Sequence, residues 1–179
     1  MRRQIRLCGL GGQGIVIAGS ILAQAALREK KSVGLSSGYG SQVRGGISKS
    51  DLVLSDTFID FPLVTQIDLL VAMLQEAYQE SLPLVAEGGI VVFDGTLVKP
   101  GAASSAKHFS IPATEKAVQE LNSEVAANIV LLAAANAIGQ LVSEDSLRAA
   151  IKDNVSSRFV DLNLKALQLG LDLGRAFTA

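Results

Sequence analysis

At 179 residues the chain has the length of one domain and enough material for a substantial core. Its 16 Lys and Arg and 17 Asp and Glu are scattered and net −1, which excludes a basic nucleic-acid footprint. A lone cysteine, Cys8, excludes a disulfide framework and any CxxC-type metal or iron–sulfur site, and it suits a reducing compartment.

Apolar residues make up 49% and charged residues 18%, with aromatics at only 4%. An aliphatic, alanine-rich excess of this kind fits either of two situations. One is a parallel sheet covered on both faces; the other is apolar surface buried against a partner.

The N-terminus, MRRQIRLCGLGG, has no long apolar run before its glycines and does not read as a secretory signal. Ile5 to Cys8 is the first expected strand, and a helix follows over 12–30, with Ile15, Ala18, Ile21, Leu22 and Ala25 on one face. Ser32 to Ser37 is a weaker strand. A glycine-rich loop leads into Ile47 to Ser55, which alternates and is expected to be less buried than the other strands. Asp68 to Met73 is a continuous apolar strand of the parallel kind. Gln75 to Val85 is a short helix bent or ended by Pro83, and Gly88-Gly89 is a turn before the strand Ile90 to Phe93. A loop over 96–106 precedes a short strand, Lys107 to Ile111. Helices are expected at Ala113 to Leu121, Val125 to Val142, Glu144 to Asp153 and Arg158 to Arg175. The apolar stretch 125–142 contains Asn128, Asn136 and Gln140 and reads as a core helix rather than a membrane span. The expected fold is α/β: a Rossmann-like, open, mostly parallel sheet with helices on both faces and a helical C-terminal third, as one domain over 1–179. A cytoplasmic location follows most simply.

The last helix carries one narrow polar stripe, Asp161, Lys165, Gln168, Asp172 and Arg175. Gly170 and Gly174 lie opposite it and invite close backbone approach. The apolar arc exceeds the ~100° of an ordinary surface helix. This helix is therefore mostly covered, by its own domain or by another chain.

Gly9, Gly11 and Gly14 satisfy GxGxxG between a strand and a helix. A helix N-terminus at such a turn offers N–H groups to an anion. A dinucleotide site also needs an acid closing the second strand, but that strand ends Ser36-Ser37-Gly38 and Glu29 belongs to the preceding helix. The glycines then either only permit a tight turn or present Gln13, a polar amide, to a ligand or neighbouring chain. The second motif, Tyr39 to Ser48, contains Arg44 between glycines. That arginine either grips a carboxylate or phosphate in bidentate fashion beside an anion nest or is a solvated residue of a hairpin loop. No nucleophile stands beside a base, so no catalytic residue is assigned. His108 reads as structural or solvated, Cys8 as packing, and Asp94 ends a strand where α/β ligands often bind. Asn128 and Asn136 each need a buried hydrogen-bond partner.

GLGGQGI at Gly9 to Ile15, SGYGSQVRGGISKSDLVLSD at Ser37 to Asp56, DLLVAMLQEAY at Asp68 to Tyr78 and LNLKALQLG at Leu162 to Gly170 together resemble the gamma subunit of 2-oxoacid:ferredoxin oxidoreductases. The resemblance implies a complex that oxidatively decarboxylates a 2-oxoacid, couples it to coenzyme A and passes electrons to ferredoxin. Thiamine diphosphate with magnesium and the iron–sulfur clusters would sit in or with the alpha, beta and delta subunits, with no cofactor or metal held by this chain alone. It implies that Gly11, Gly12, Gln13, Gly14, Tyr39, Arg44, Gly45 and Gly46 face the partner-bound cofactor or coenzyme A. The form of the two glycine motifs looks most like 2-oxoglutarate-type subunits. The isolated chain would be inactive, and its apolar surface would allow a homodimer. The competing reading is a stand-alone nucleotide-binding module or small NAD-dependent oxidoreductase. Neither reading involves nucleic acid or a membrane.

Overall fold

From Arg2 onward the chain builds one six-stranded sheet in the order β2-β3-β1-β4-β5-β6, with one helix after the first strand, one after the fourth and four in succession at the C-terminal end. The strands are β1 Arg2–Leu10, β2 Ser32–Tyr39, β3 Ile47–Ser55, β4 Ile67–Ala72, β5 Val85–Asp94 and β6 Lys107–Ile111. The helices are α1 Ile15–Arg28, α2 Gln75–Ser81, α3 Ala113–Leu121, α4 Ala127–Gly139, α5 Glu144–Asn154 and α6 Ser157–Arg175. This computed structural model describes residues 2–39, 46–101 and 105–178. β1, β4, β5 and β6 pair in parallel, while β3 runs antiparallel to both β1 and β2. Five strands therefore share one direction and β3 alone opposes them.

The alternation of side chains along each strand sorts the core into two layers. Ile5 and Leu7 of β1, Leu52 and Leu54 of β3, and Leu69 and Val71 of β4 point toward α1, α3, α4, α5 and α6. Cys8, Leu70, Ala72, Val91 and Phe93 point the other way, where α2 supplies Ala77 and Tyr78. Helices thus cover both faces, as expected, but unequally. Within the larger layer α4 and α6 lie close together. A Cβ on Gly170 would collide with the Val130 carbonyl, and one on Gly174 would sit 2.6 Å from the Ala134 carbonyl. The polar stripe of α6 faces solvent along its length. The wide apolar arc of this helix is therefore covered largely by its own chain.

Two local expectations are corrected. β3 is not a less buried strand: it lies inside the sheet, and Ser48, Ser50, Leu52, Val53, Leu54 and Ser55 are all buried. Its alternation of serine and lysine with aliphatics hid this, because Ser50 is small enough to sit under Gly19 of α1. Gly88-Gly89 is not a turn ahead of a separate strand, since both lie inside β5. There the β4 partner moves only from Ile67 to Leu69 while β5 advances from Val85 to Ile90. Gly88, at φ +71, absorbs the irregularity.

Candidate functional site

The first glycine motif lies at the C-terminal ends of the parallel strands, where β1 feeds α1 on one side and β4 stands on the other. That is the switch point at which open α/β sheets form their crevice. Gly12 at φ +101 and Gly14 at φ +77 make the turn, and Gly14 caps α1 without a side chain. Among the described residues nothing lies within 4 Å of where a Gly12 Cβ would be, so they leave the main chain open to approach there.

Three segments hold this turn in place. Gly11 N donates to Gly46 O at 2.9 Å, which brings the two glycine motifs together. Gln13 Oε1 accepts from Leu10 N at 2.7 Å, and its Nε2 donates to Met73 O, just past the end of β4, at 3.4 Å. The Gln13 amide thus faces its own chain at both ends. Asn128 Nδ2 donates to Gly14 O at 3.1 Å, and Asn128 Oδ1 accepts from Ile129 N at 2.7 Å. Asn128 is the residue that motif reading missed as part of this turn. Its place on an apolar helix signalled only that a partner existed. Asn136 instead bonds both main-chain groups of Val142 and closes the end of α4.

Of the other sequence candidates, Gly46 immediately precedes β3 and lies beside Gly11. Tyr39 ends β2 opposite Ser48. Arg44 and Gly45 lie outside the described residues, as does the side chain of Tyr39. The antiparallel pairing of β2 with β3 makes the second motif the connection of a hairpin. Leu10, Ile17 and Val125 are exposed apolar residues close in sequence to the turn's contacts.

Asp94, His108 and Cys8, the side chains singled out beyond the glycine motifs, all make internal contacts or are buried. The fully buried Asp94 accepts from Thr96 N at 3.0 Å, Thr114 N at 2.9 Å and Thr114 Oγ1 at 2.6 Å. It ties the end of β5 to the start of α3. His108 Nδ1 lies 3.3 Å from Tyr78 Oη, and its ring packs edge-on to Tyr78 and Phe93. Burial lowers its pKa and favours the neutral ring. Burial pushes the Cys8 thiol up to about 12. Among the described residues no group of three or more His, Cys, Asp or Glu could hold a metal ion. An iron–sulfur cluster takes about four thiolates, and this chain has one cysteine. The residues present do not fit such a cluster.

The dinucleotide arrangement is also not reproduced. β3 intervenes between β1 and β2, so the strand beside the glycine turn is one that starts there at Gly46–Ile47 rather than one ending in an acid. Glu29 sits at the opposite end of the strands, bonded to Lys31 and Ser143 N. A cleft of about 530 Å³ at that end is lined by Glu29, Lys31, Glu144 and Arg175, whose charges pair with one another.

Comparison with known proteins agrees with this geometry. The family model described as pyruvate ferredoxin/flavodoxin oxidoreductase matches residues 4–173. The chain is 39% identical over 178 residues to the 2-oxoglutarate synthase subunit KorC of Methanocaldococcus jannaschii, covering 98% of this chain and 95% of that protein. It is 33% identical over 175 residues to the ketoisovalerate oxidoreductase subunit VorA of Methanothermobacter thermautotrophicus, covering 96% of this chain and 36% of that longer protein. Among solved structures, the gamma subunit of a keto/oxoacid ferredoxin oxidoreductase from Geobacter sulfurreducens PCA superposes with a TM-score of 0.87 at 34% identity, covering 98% of each chain.

Proposed function

The chain belongs to the pyruvate ferredoxin/flavodoxin oxidoreductase family, as a gamma-type subunit of a 2-oxoacid:ferredoxin oxidoreductase, and from that premise we propose that it docks as a single domain on the thiamine-diphosphate-binding alpha and beta subunits with its glycine-turn edge toward coenzyme A. The observation that carries this reading is the Gly11–Gly46 bond, which sets both glycine motifs side by side at the switch point. The open main chain at Gly12 and the exposed Leu10, Ile17 and Val125 suit close approach of another chain or ligand.

In this reading thiamine diphosphate, magnesium and the iron–sulfur clusters belong to the alpha, beta and delta subunits, and electrons leave the complex to ferredoxin. This chain's residues bind and orient. Gly11 and Gly12 leave room at the main chain, Gln13 and Asn128 hold the turn, and Arg44 grips an anionic group of coenzyme A. 2-Oxoglutarate is the proposed substrate of the complex, supported by the 39% identity to the M. jannaschii subunit against 33% to the ketoisovalerate enzyme. No helix among the described residues is long and apolar enough to cross a membrane, and the proposed place of work is the cytoplasm.

Co-expression with the neighbouring alpha and beta subunits tests the docking. Failure of this chain to co-purify with them while they form an active enzyme without it would overturn the proposal. In the assembled complex, Arg44→Ala should leave assembly intact and raise the KM for coenzyme A roughly ten- to hundredfold, the loss of a charge-assisted contact. Unchanged kinetics would leave Arg44 a loop residue. Turnover with 2-oxoglutarate, pyruvate and 2-oxoisovalerate in parallel assigns the substrate.

A further inference from the structure

The two edges of the sheet are built differently. β6 is five residues long, carries Lys107 and His108, and is followed by Pro112; Phe177 packs edge-on to its Phe109. β2 is eight residues long, SVGLSSGY, with no charge and no proline, and it pairs with β3 in unbroken register from Ser32↔Ser55 to Tyr39↔Ser48. Edge strands that must stay single are shortened, charged, bulged or covered. Among the described residues β2 shows none of these devices.

Apolar side chains flank this edge on both faces. Leu35 is 42% exposed on the side of α1, where it approaches Gly19. On the other face Pro62 packs against Gly34, 2.7 Å from where a Cβ would stand. Its neighbours Phe61 and Leu63 are 48% and 52% exposed.

We infer that β2 pairs antiparallel with β2 of a second copy about a twofold axis, joining two six-stranded sheets into one. Charge and area both point to a second copy as the occupant. A twofold contact sets each surface against itself, and an uncharged strand brings no like charges together. An eight-residue strand is about 27 Å long, and strand plus one helix layer is about 20 Å deep. Pairing would then bury roughly 500 Å² per copy, about the 1,000 Å² total that a specific interface needs. Main-chain hydrogen bonds supply the register, as in other strand additions. The surface runs along β2 and meets the glycine-motif edge only at Tyr39, and the inference rests on the strand's edge rather than on the docking proposed above.

Sedimentation velocity of the full chain across a wide micromolar range tests it. The wild type should show a concentration-dependent monomer–dimer equilibrium. Leu35→Lys should weaken dimerisation about tenfold or more, roughly 1.4 kcal/mol. Gly38→Lys serves as a second variant, because among the described residues nothing lies within 4 Å of a Cβ there. Lys107→Ala on the opposite edge should leave the equilibrium unchanged. A wild type that stays monomeric throughout, as expected if a different protein covers β2, overturns the inference. So do β2 variants that melt like the wild type and dimerise equally well.

Discussion

Gly14 and Asn128 form one unit across 114 residues of sequence: Asn128 Nδ2 donates to the Gly14 carbonyl at 3.1 Å, and a Cβ on Gly14 would collide with that same nitrogen. The left-handed turn that starts α1 and the first turn of α4 therefore specify each other. Gly14→Ala should cost about 2–5 kcal/mol, from backbone strain at φ +77 and from the collision. Asn128→Ala should cost about 1–3 kcal/mol by leaving the Gly14 carbonyl without its partner. In the double variant the collision is gone, so its cost should be less than the sum of the two single-variant costs. Urea unfolding of the four proteins measures the coupling, and strict additivity would dissolve the unit.

The α4–α6 contact makes a second prediction. Gly170→Ala must push α6 away from the Val130 carbonyl and from Ala133 Cβ, which would stand 2.7 Å away. Overpacking of this kind costs about 1–3 kcal/mol, and each kcal/mol lowers Tm by roughly 2–4 °C at this chain length. Lys165→Ala, on the solvent stripe of the same helix, should change stability by no more than about 0.5 kcal/mol. Equal melting of the two variants would mean that the helices do not need the glycine.

Glu29 gives a pH signature. Its partial burial opposes ionisation, but hydrogen bonds from Lys31 and from the N–H and hydroxyl of Ser143 outweigh that and lower its pKa to about 2. The unfolded value is about 4.3. The folded value lies below it, so the contribution of Glu29 is fully present above about pH 4.3 and is lost as pH falls through about 2. Glu29→Gln should be less stable near neutral pH and should show a flatter fall in Tm across that acid window. Parallel Tm curves for wild type and variant would assign the acid sensitivity elsewhere.

Cys8 provides a probe of global unfolding. A thiol with its pKa at about 12 inside the sheet has almost no thiolate at pH 8. Alkylation should fail on the native chain and proceed on the denatured one. Rapid native labelling would mean that β1 opens locally.

Much of the fold was legible because periodicity reports burial directly. The bounds of β3, β6 and α3 follow from alternation, turn residues and helical spacing. The glycines of α6 signalled a close helix approach before any partner helix was known. Register and neighbour identity were not legible. The jump in pairing that keeps Gly88 inside β5 depends on β4, and the interior position of β3 depends on which strand lies on each side. At the site, GxGxxG announced a turn but could not say that β3 would occupy the place of an acid-bearing strand.

The sequence by itself determined the α/β class, the position of the glycine turn between a strand and a helix, and, with its one cysteine, the shortage of thiolates for a cluster. These are properties of residue type and short spacing. Only the tertiary structure decided what the turn rests on. Asn128, Met73 and Gly46 are distant in the chain, and only strand order and helix packing bring them to Gly11–Gly14. The same strand order leaves β2 uncharged at an open edge, because where a strand sits in its sheet is set by the packing of the whole chain rather than by its own eight residues.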